Sequence, residues 1–174
     1  MTARTSEGTI SGTSFRFSEM TRTERVMAAV RGEPVDRLPV CFWHHFRPEG
    51  SGRKLAEASL RFFDETFDLD IVKVMPDIPY PFPRRSIQSI DGWRLIEPIN
   101  AERSRFFQQR AECVRVLRDE LGFDTPIIVT VFSPLCEALY FAGERERFFE
   151  HAQQAPSVVH EALATIAENL REHI

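Results

Sequence analysis

The sequence predicts an α/β fold of parallel βαβ units, present as the front part of a larger domain. Three observations carry that reading. Helical and strand periodicities alternate along the chain. The strand runs are apolar on both faces, the pattern of strands covered by helices on both sides. About three such runs are present, too few for a closed barrel or a comfortable doubly wound sheet, and the last helix leads into no further strand.

Residues 1–17 are rich in Thr, Ser and Gly and are expected to form a flexible tail, with the folded unit over 18–174. Thr21 and Glu24 have capping-box spacing ahead of Val26, Met27, Ala29 and Val30, so a helix is expected there, ending near Gly32 before Pro34. Leu38 to Trp43 reads as a short buried strand. Residues 53–67, with Leu55, Ala58, Leu60, Phe62 and Phe63, read as a helix. The next strand, 69–75, carries Ile71, Val72 and Val74 and runs into a loop stiffened by Pro76, Pro79, Pro81 and Pro83. Asp91-Gly92 between Ile87, Ile90 and Trp93, Leu95, Ile96 predicts a hairpin insertion over 84–97. A long helix is expected over 101–121, ending at Gly122. A third strand runs from Ile127 to Phe132 and breaks at Pro134. Helices are expected over 135–142 and 144–153. A last one starts at Pro156 and carries Val159, Leu163, Ile166 and Leu170 on one face.

Hydrophobic residues make up 43% of the 174, enough for one real core, and the net charge is −4. With a pI near 5.8 there is no global basic footprint for nucleic acid or an anionic membrane. No apolar run reaches membrane-spanning length, and the polar start lacks a secretory signal. The three cysteines, Cys41, Cys113 and Cys136, are far apart and show no C-x-x-C pairing. A reduced, cytoplasmic setting without a structural metal is the expectation.

In parallel α/β folds, ligands bind at the carboxyl ends of the strands. The loops after residues 43, 75 and 132 hold that position. The first carries His44, His45 and Arg47, the second Asp77 and Tyr80, the third Ser133, Cys136, Glu137 and Tyr140. Asp77 is the foremost candidate, because four prolines in 76–83 are a costly way to make a turn and a sensible way to hold one carboxylate still. The alternative is an aspartate that bonds its own turn. His44 and His45 are neighbours and on an extended chain point to opposite faces, which argues against a metal pair. Arg47 reads equally as a surface charge or an anion clamp. Tyr140, between Leu139 and Phe141, reads by default as a core tyrosine, and Cys136 as small-residue packing.

Three ordered stretches resemble the uroporphyrinogen decarboxylase family. "TRTERVMAAVRGEPVDRLPVCFW" is similar to its opening helix, Arg-Gly-Glu-Pro-Val-Asp-Arg-type turn and first strand. "FDLDIVKVMPDI" is similar to its second strand, which ends in an aspartate, and "VFSPLCEALYFAG" to its third strand and the segment after it. The resemblance covers 18–174 and implies a (β/α)8 TIM-type barrel about twice this length, of which this chain holds strands one to three. It implies cofactor-free decarboxylation of porphyrinogen acetate side chains, in tetrapyrrole and heme biosynthesis. Asp77 would stabilise the charge of a protonated pyrrole, and Tyr140 would lie near the reacting acetate. His44, Arg47, Tyr80 and Ser133 complete the expected substrate contacts.

The family's decarboxylases carry Arg-Gln-Ala-Gly-Arg after strand one, where this chain has His44-His45-Phe46-Arg47-Pro48. His44 stands where the first arginine belongs, and Arg47 falls one position short of the second. Imidazole is a poor substitute for guanidinium forks on a polycarboxylate. The alternative is therefore a methyltransferase of the same fold, dependent on zinc and a corrinoid protein. A further alternative is an inactive half-barrel that needs a C-terminal partner. The expected partners are a small-molecule substrate and either a second copy or a complementary C-terminal half. An open three-stranded sheet would also expose edge backbone and favour association.

Overall fold

Two aspartates seven residues apart, Asp70 and Asp77, bracket the central strand of this chain and tie a neighbouring segment to it at both ends. The computed structural model describes residues 7–10, 13–16, 19–46, 51–66, 68–78, 80–81 and 86–172. It is a helix-rich α/β structure around a parallel two-stranded sheet. Before that unit, β1 (Glu7–Ile10) and β2 (Thr13–Arg16) pair antiparallel within the segment expected as a tail.

The first helix, α1 (Arg22–Val30), starts as its spacing predicts. Thr21 Oγ1 accepts from the Glu24 amide, and the Glu24 carboxylate accepts from the Thr21 amide. The Thr21 amide and the Thr21 hydroxyl, both donating to Glu24 Oε2, hold that carboxyl below its usual range. Arg25 turns inward from α1 and is buried. Its Nε and Nη2 donate to both oxygens of Asp36 at 2.6 and 2.7 Å, and its Nη1 donates to Asp70 Oδ1 at 2.6 Å. Arg37 donates to the same Asp70, which has no exposed surface. The Arg-Gly-Glu-Pro-Val-Asp-Arg turn is thus a structural device: its Asp36 and Arg37 complete a buried ion cluster.

The central pair is β3 (Val72–Val74) and β4 (Ile127–Val129), parallel, with Val72 opposite Ile127 and Val74 opposite Val129. The helices α2 (Gly52–Thr66) and α4 (Arg105–Leu121) pack over it. Leu55, Phe63, Leu69, Val72, Val74, Phe106 and Leu117 form the core between them. The approach of α2 to α4 is close enough to require glycine, since a Cβ at Gly52 would fall 1.9 Å from the Gln109 carbonyl oxygen. α4 ends at Gly122, as expected.

A second core joins a short helix, α3 (Ile90–Trp93), to α5 (Pro134–Ala142), α6 (Arg145–Gln154) and α7 (Pro156–Arg171). Trp93, Phe141, Phe148, Val159, Ile166 and Leu170 fill it, with the Trp93 indole N–H donating to His151 Nδ1 at 3.0 Å. α5 ends on Gly143, whose φ of +74° is the left-handed cap that glycine adopts without strain. Tyr80 packs against both cores. Among the described residues, no helix is long and apolar enough to cross a membrane.

Three expectations need correction. The hairpin over 84–97 is absent among the described residues; α3 occupies its centre. The core takes Trp93 and Ile96, three apart as on a helical turn, and leaves Leu95 65% exposed, whereas strand alternation would put Trp93 and Leu95 on one face. Leu38 to Trp43 forms no strand, so among the described residues the parallel sheet has two strands rather than three. Its Val40 carbonyl does accept from the Asp70 amide at 2.8 Å, yet the Val40 amide donates to the Asp70 carboxylate instead of to a ladder. Leu38 and Trp43 stay exposed. Finally, β3 is buried but β4 is not buried on both faces, with Ile128 and Val129 partly in solvent.

Candidate active site

Asp77 lies three residues past the end of β3, in the proline-framed exit. Its side chain is only 5% exposed. Oδ1 lies 2.6 Å from His45 Nδ1, and Oδ2 accepts from the Phe46 amide at 2.7 Å. The carboxylate therefore closes the upper end of the segment that Asp70 holds at Val40. Both oxygens are used, so the group is aimed at the first loop, and the His45 ring remains 58% exposed.

The neighbouring histidine goes the other way. His44 stacks on Phe62 of α2, ring centroids 5.0 Å apart and nearly parallel, and also meets Phe46. The opposite orientation of the two rings is that of extended backbone. Which of them faces Asp77 depends on the parity of the segment, and the answer is His45.

Two further charged groups converge from the helices. Arg110, one turn into α4, is buried. Its guanidinium lies over the Phe106 ring at 4.8 Å, and its Nη2 makes one long bond, 3.4 Å, to the Thr130 carbonyl beyond β4. Burial pushes this guanidinium down, while the charges of Glu137 and Asp77 act to hold it up. Glu137, in the first turn of α5, is half-buried. Burial pushes its carboxyl up, and Arg110 opposes that shift. Sequence reasoning groups Glu137 with the third loop but misses Arg110. The signal is there: Phe106, Arg110, Cys113 and Leu117 recur at helical spacing, so an arginine sits in an apolar stripe.

Of the other candidates, Ser133 caps α5, its Oγ accepting from the Cys136 amide at 3.2 Å. The Tyr80 ring lies between Phe106 and Phe141, at 5.6 and 5.4 Å, and its hydroxyl accepts from Asn169 Nδ2 at 2.7 Å. Burial pushes the Tyr80 phenol up to about 12. Tyr140 is 65% exposed rather than buried, its ring 5.8 Å from Phe132, because α5 turns Ala138, Phe141 and Ala142 inward instead. Arg47 lies outside the described residues. Among the described residues, no three His, Cys, Asp or Glu side chains gather as a metal-binding group.

Asp77 thus stands at the carboxyl end of a parallel strand, held to the first loop. Residues 65–174 match the family model described as uroporphyrinogen decarboxylase (URO-D). The chain belongs to the uroporphyrinogen decarboxylase family. The match spans β3, Asp77, α4, β4 and everything after it; the opening helix and the histidine pair precede it. Comparison with curated proteins finds no match, and neither does comparison with solved structures. Within the URO-D region, Asp77 is the carboxylate at the end of β3 and Glu137 the one at the start of α5.

Proposed function

We propose that this URO-D family chain is a carboxy-lyase of the uroporphyrinogen decarboxylase type, acting on acetate side chains of a porphyrinogen from the mouth of a (β/α)8 barrel whose front it forms. The observation that carries this is the Asp77 carboxylate, sealed from solvent and bonded to His45 at the exit of β3. In such a reaction the bond between the acetate methylene and its carboxyl carbon breaks and CO2 leaves. The electron pair passes into a pyrrole protonated on a ring carbon, a proton is delivered to the methylene carbon, and the ring proton then leaves to restore the pyrrole. A fixed, desolvated carboxylate lowers the barrier by stabilising the cationic ring.

His45 extends that scheme. With Nδ1–H donated to Asp77, the ring is held in one orientation and Nε2 is left to exchange a proton with substrate. Asp77 then serves both as the anion facing the developing cation and as the group that positions the imidazole. Tyr140, exposed on α5, meets substrate from the third loop.

A second reading is methyl transfer by the same fold, with zinc and a corrinoid protein. The imidazole pair at 44–45 favours it, because a polycarboxylate calls for guanidinium forks where this chain has rings. Incubating the purified chain with uroporphyrinogen, and tracking the products by fluorescence after oxidation, tests the first reading. Loss of acetate carboxyls supports it. No product in that assay, together with methyl transfer that requires zinc and a corrinoid protein, overturns it in favour of the second.

A further inference from the structure

We infer that the groove between α4 and β4 is a binding site for a small monoanionic carboxylate with an apolar tail, its carboxylate seated on Arg110. The groove has a volume of about 540 Å³, within the range of small-molecule sites. Its walls are Phe107, Ala111 and Val114 from α4 with Val129 and Val131 from β4 and its continuation. Register places it on the sheet's helix side. Val129 pairs with Val74, which is buried among α2 and α4, and Val131 is two residues further on; Lys73 and Ile128 alternate to the opposite face.

Arg110 supplies the reason for an anion. A guanidinium has five N–H donors in a planar fork, and burying it without acceptors is costly. Here the side chain is 7% exposed, yet it has one long hydrogen bond, to the Thr130 carbonyl, and one ring contact, with Phe106. Among the described residues, no carboxylate lies within ion-pair distance of it. Arg25, by contrast, is equally buried and has every arm engaged by Asp36, Asp70 and the Met20 carbonyl. The fork of Arg110 lines the groove, and the distant Thr130 carbonyl is the one hydrogen-bond acceptor it meets among the described residues. A planar carboxylate supplies two.

The rest of the lining sets the ligand's charge and body. Besides Arg110, the groove has one further cation, Arg115, and one anion, Glu172. The lining sums to a single positive charge, and the charges of Glu137 and Asp77 lower the potential at Arg110 further, which disfavours phosphate dianions or dicarboxylates. The five apolar side chains of the walls ask for a hydrocarbon tail.

Isothermal titration of the purified chain with octanoate tests this, with octanol, octylamine and inorganic phosphate as comparison ligands. Saturable one-to-one binding of octanoate is expected, with at least tenfold weaker binding of the other three. Arg110→Met is expected to weaken octanoate at least tenfold, by loss of charge-assisted bonds. Ala111→Phe changes an exposed position of α4 and fills the groove while leaving Arg110 untouched. It is expected to abolish binding with the circular dichroism of the native chain retained, and it decides the matter should Arg110→Met fail to fold. Absence of saturable octanoate binding, octanol bound as tightly, or full affinity in Ala111→Phe would overturn the site.

Discussion

The Asp77 carboxylate holds His45 by Nδ1 at 2.6 Å across 32 positions of sequence, and its second oxygen holds the next amide in the chain. A buried acid that spends both oxygens on one short segment cannot be swapped for a neutral group without releasing a ring. Asp77→Asn keeps the size and removes the charge. It is expected to lower decarboxylation by about 10²- to 10⁴-fold, the range for a positioned acid or base. His45→Gln alone should fall in the same range, and adding it to Asp77→Asn should cost little more, since the two act as a unit. Independent, multiplying effects in steady-state assays of the three variants would separate the roles of the two residues.

The ion cluster below β3 makes a prediction about acid. Hydrogen bonds from Arg25, foremost, hold the Asp36 carboxyl well below the usual carboxylate range, although burial opposes them. A carboxyl depressed in the folded state stabilises the fold above its unfolded pKa of about 3.9. That contribution is lost as pH falls from there toward the folded value. Urea melts between pH 7 and pH 2 should show stability dropping at the acid end, and Asp36→Asn should flatten that drop. At neutral pH Asp36→Ala leaves a buried guanidinium with one carboxylate fewer, at an expected cost of ~3–5 kcal/mol.

Thiol chemistry distinguishes the three cysteines. Cys113 lies fully buried in the α4 stripe, and burial pushes its thiol up to about 12. Cys41 and Cys136 are partly exposed. An aromatic disulfide reagent at pH 8 is expected to titrate two thiols of the native chain promptly and the third only in denaturant. Prompt release of three equivalents would mean that α4 lifts from the sheet on the timescale of the assay.

Much of the fold is legible in the sequence, and the exceptions share a cause. Thr21 and Glu24 announce α1, and Gly122 announces the end of α4, because caps are decided by residues a few positions apart. Asp77 is legible because strand exit and prolines are local too. The run at 38–43 is not, since its fate rests on Asp70, thirty residues away, taking the Val40 amide. Asp91-Gly92 reads as a hairpin turn until Trp93 and Ile96 are seen to share a core with α7. In the site, periodicity says that His44 and His45 diverge but leaves open which one meets Asp77, because parity on an isolated extended segment is set by its tertiary partners. Arg110 is legible in principle, as a charge recurring in phase with an apolar stripe.

Tyr80 carries the last prediction. It is the side chain that packs against both cores, and Asn169, 2% exposed on α7, clamps its hydroxyl while also donating to the Glu97 carbonyl and accepting from the Ile99 amide. Tyr80→Phe deletes one hydrogen bond without a cavity, so a loss of about 1 kcal/mol is expected, most of it absent when Asn169 has already been changed to Ala. Burial, moderated by the Asn169 bond, places the phenol at about 12 in the fold, above the ordinary value near 10. The folded state then keeps a proton that the unfolded state gives up, so stability falls as pH rises from about 10 toward 12. Ultraviolet titration at 295 nm should show one tyrosinate step near pH 12 that disappears in Tyr80→Phe. Loss of a step near pH 10 in Tyr80→Phe, with none near pH 12 in either protein, would instead place this phenol in water.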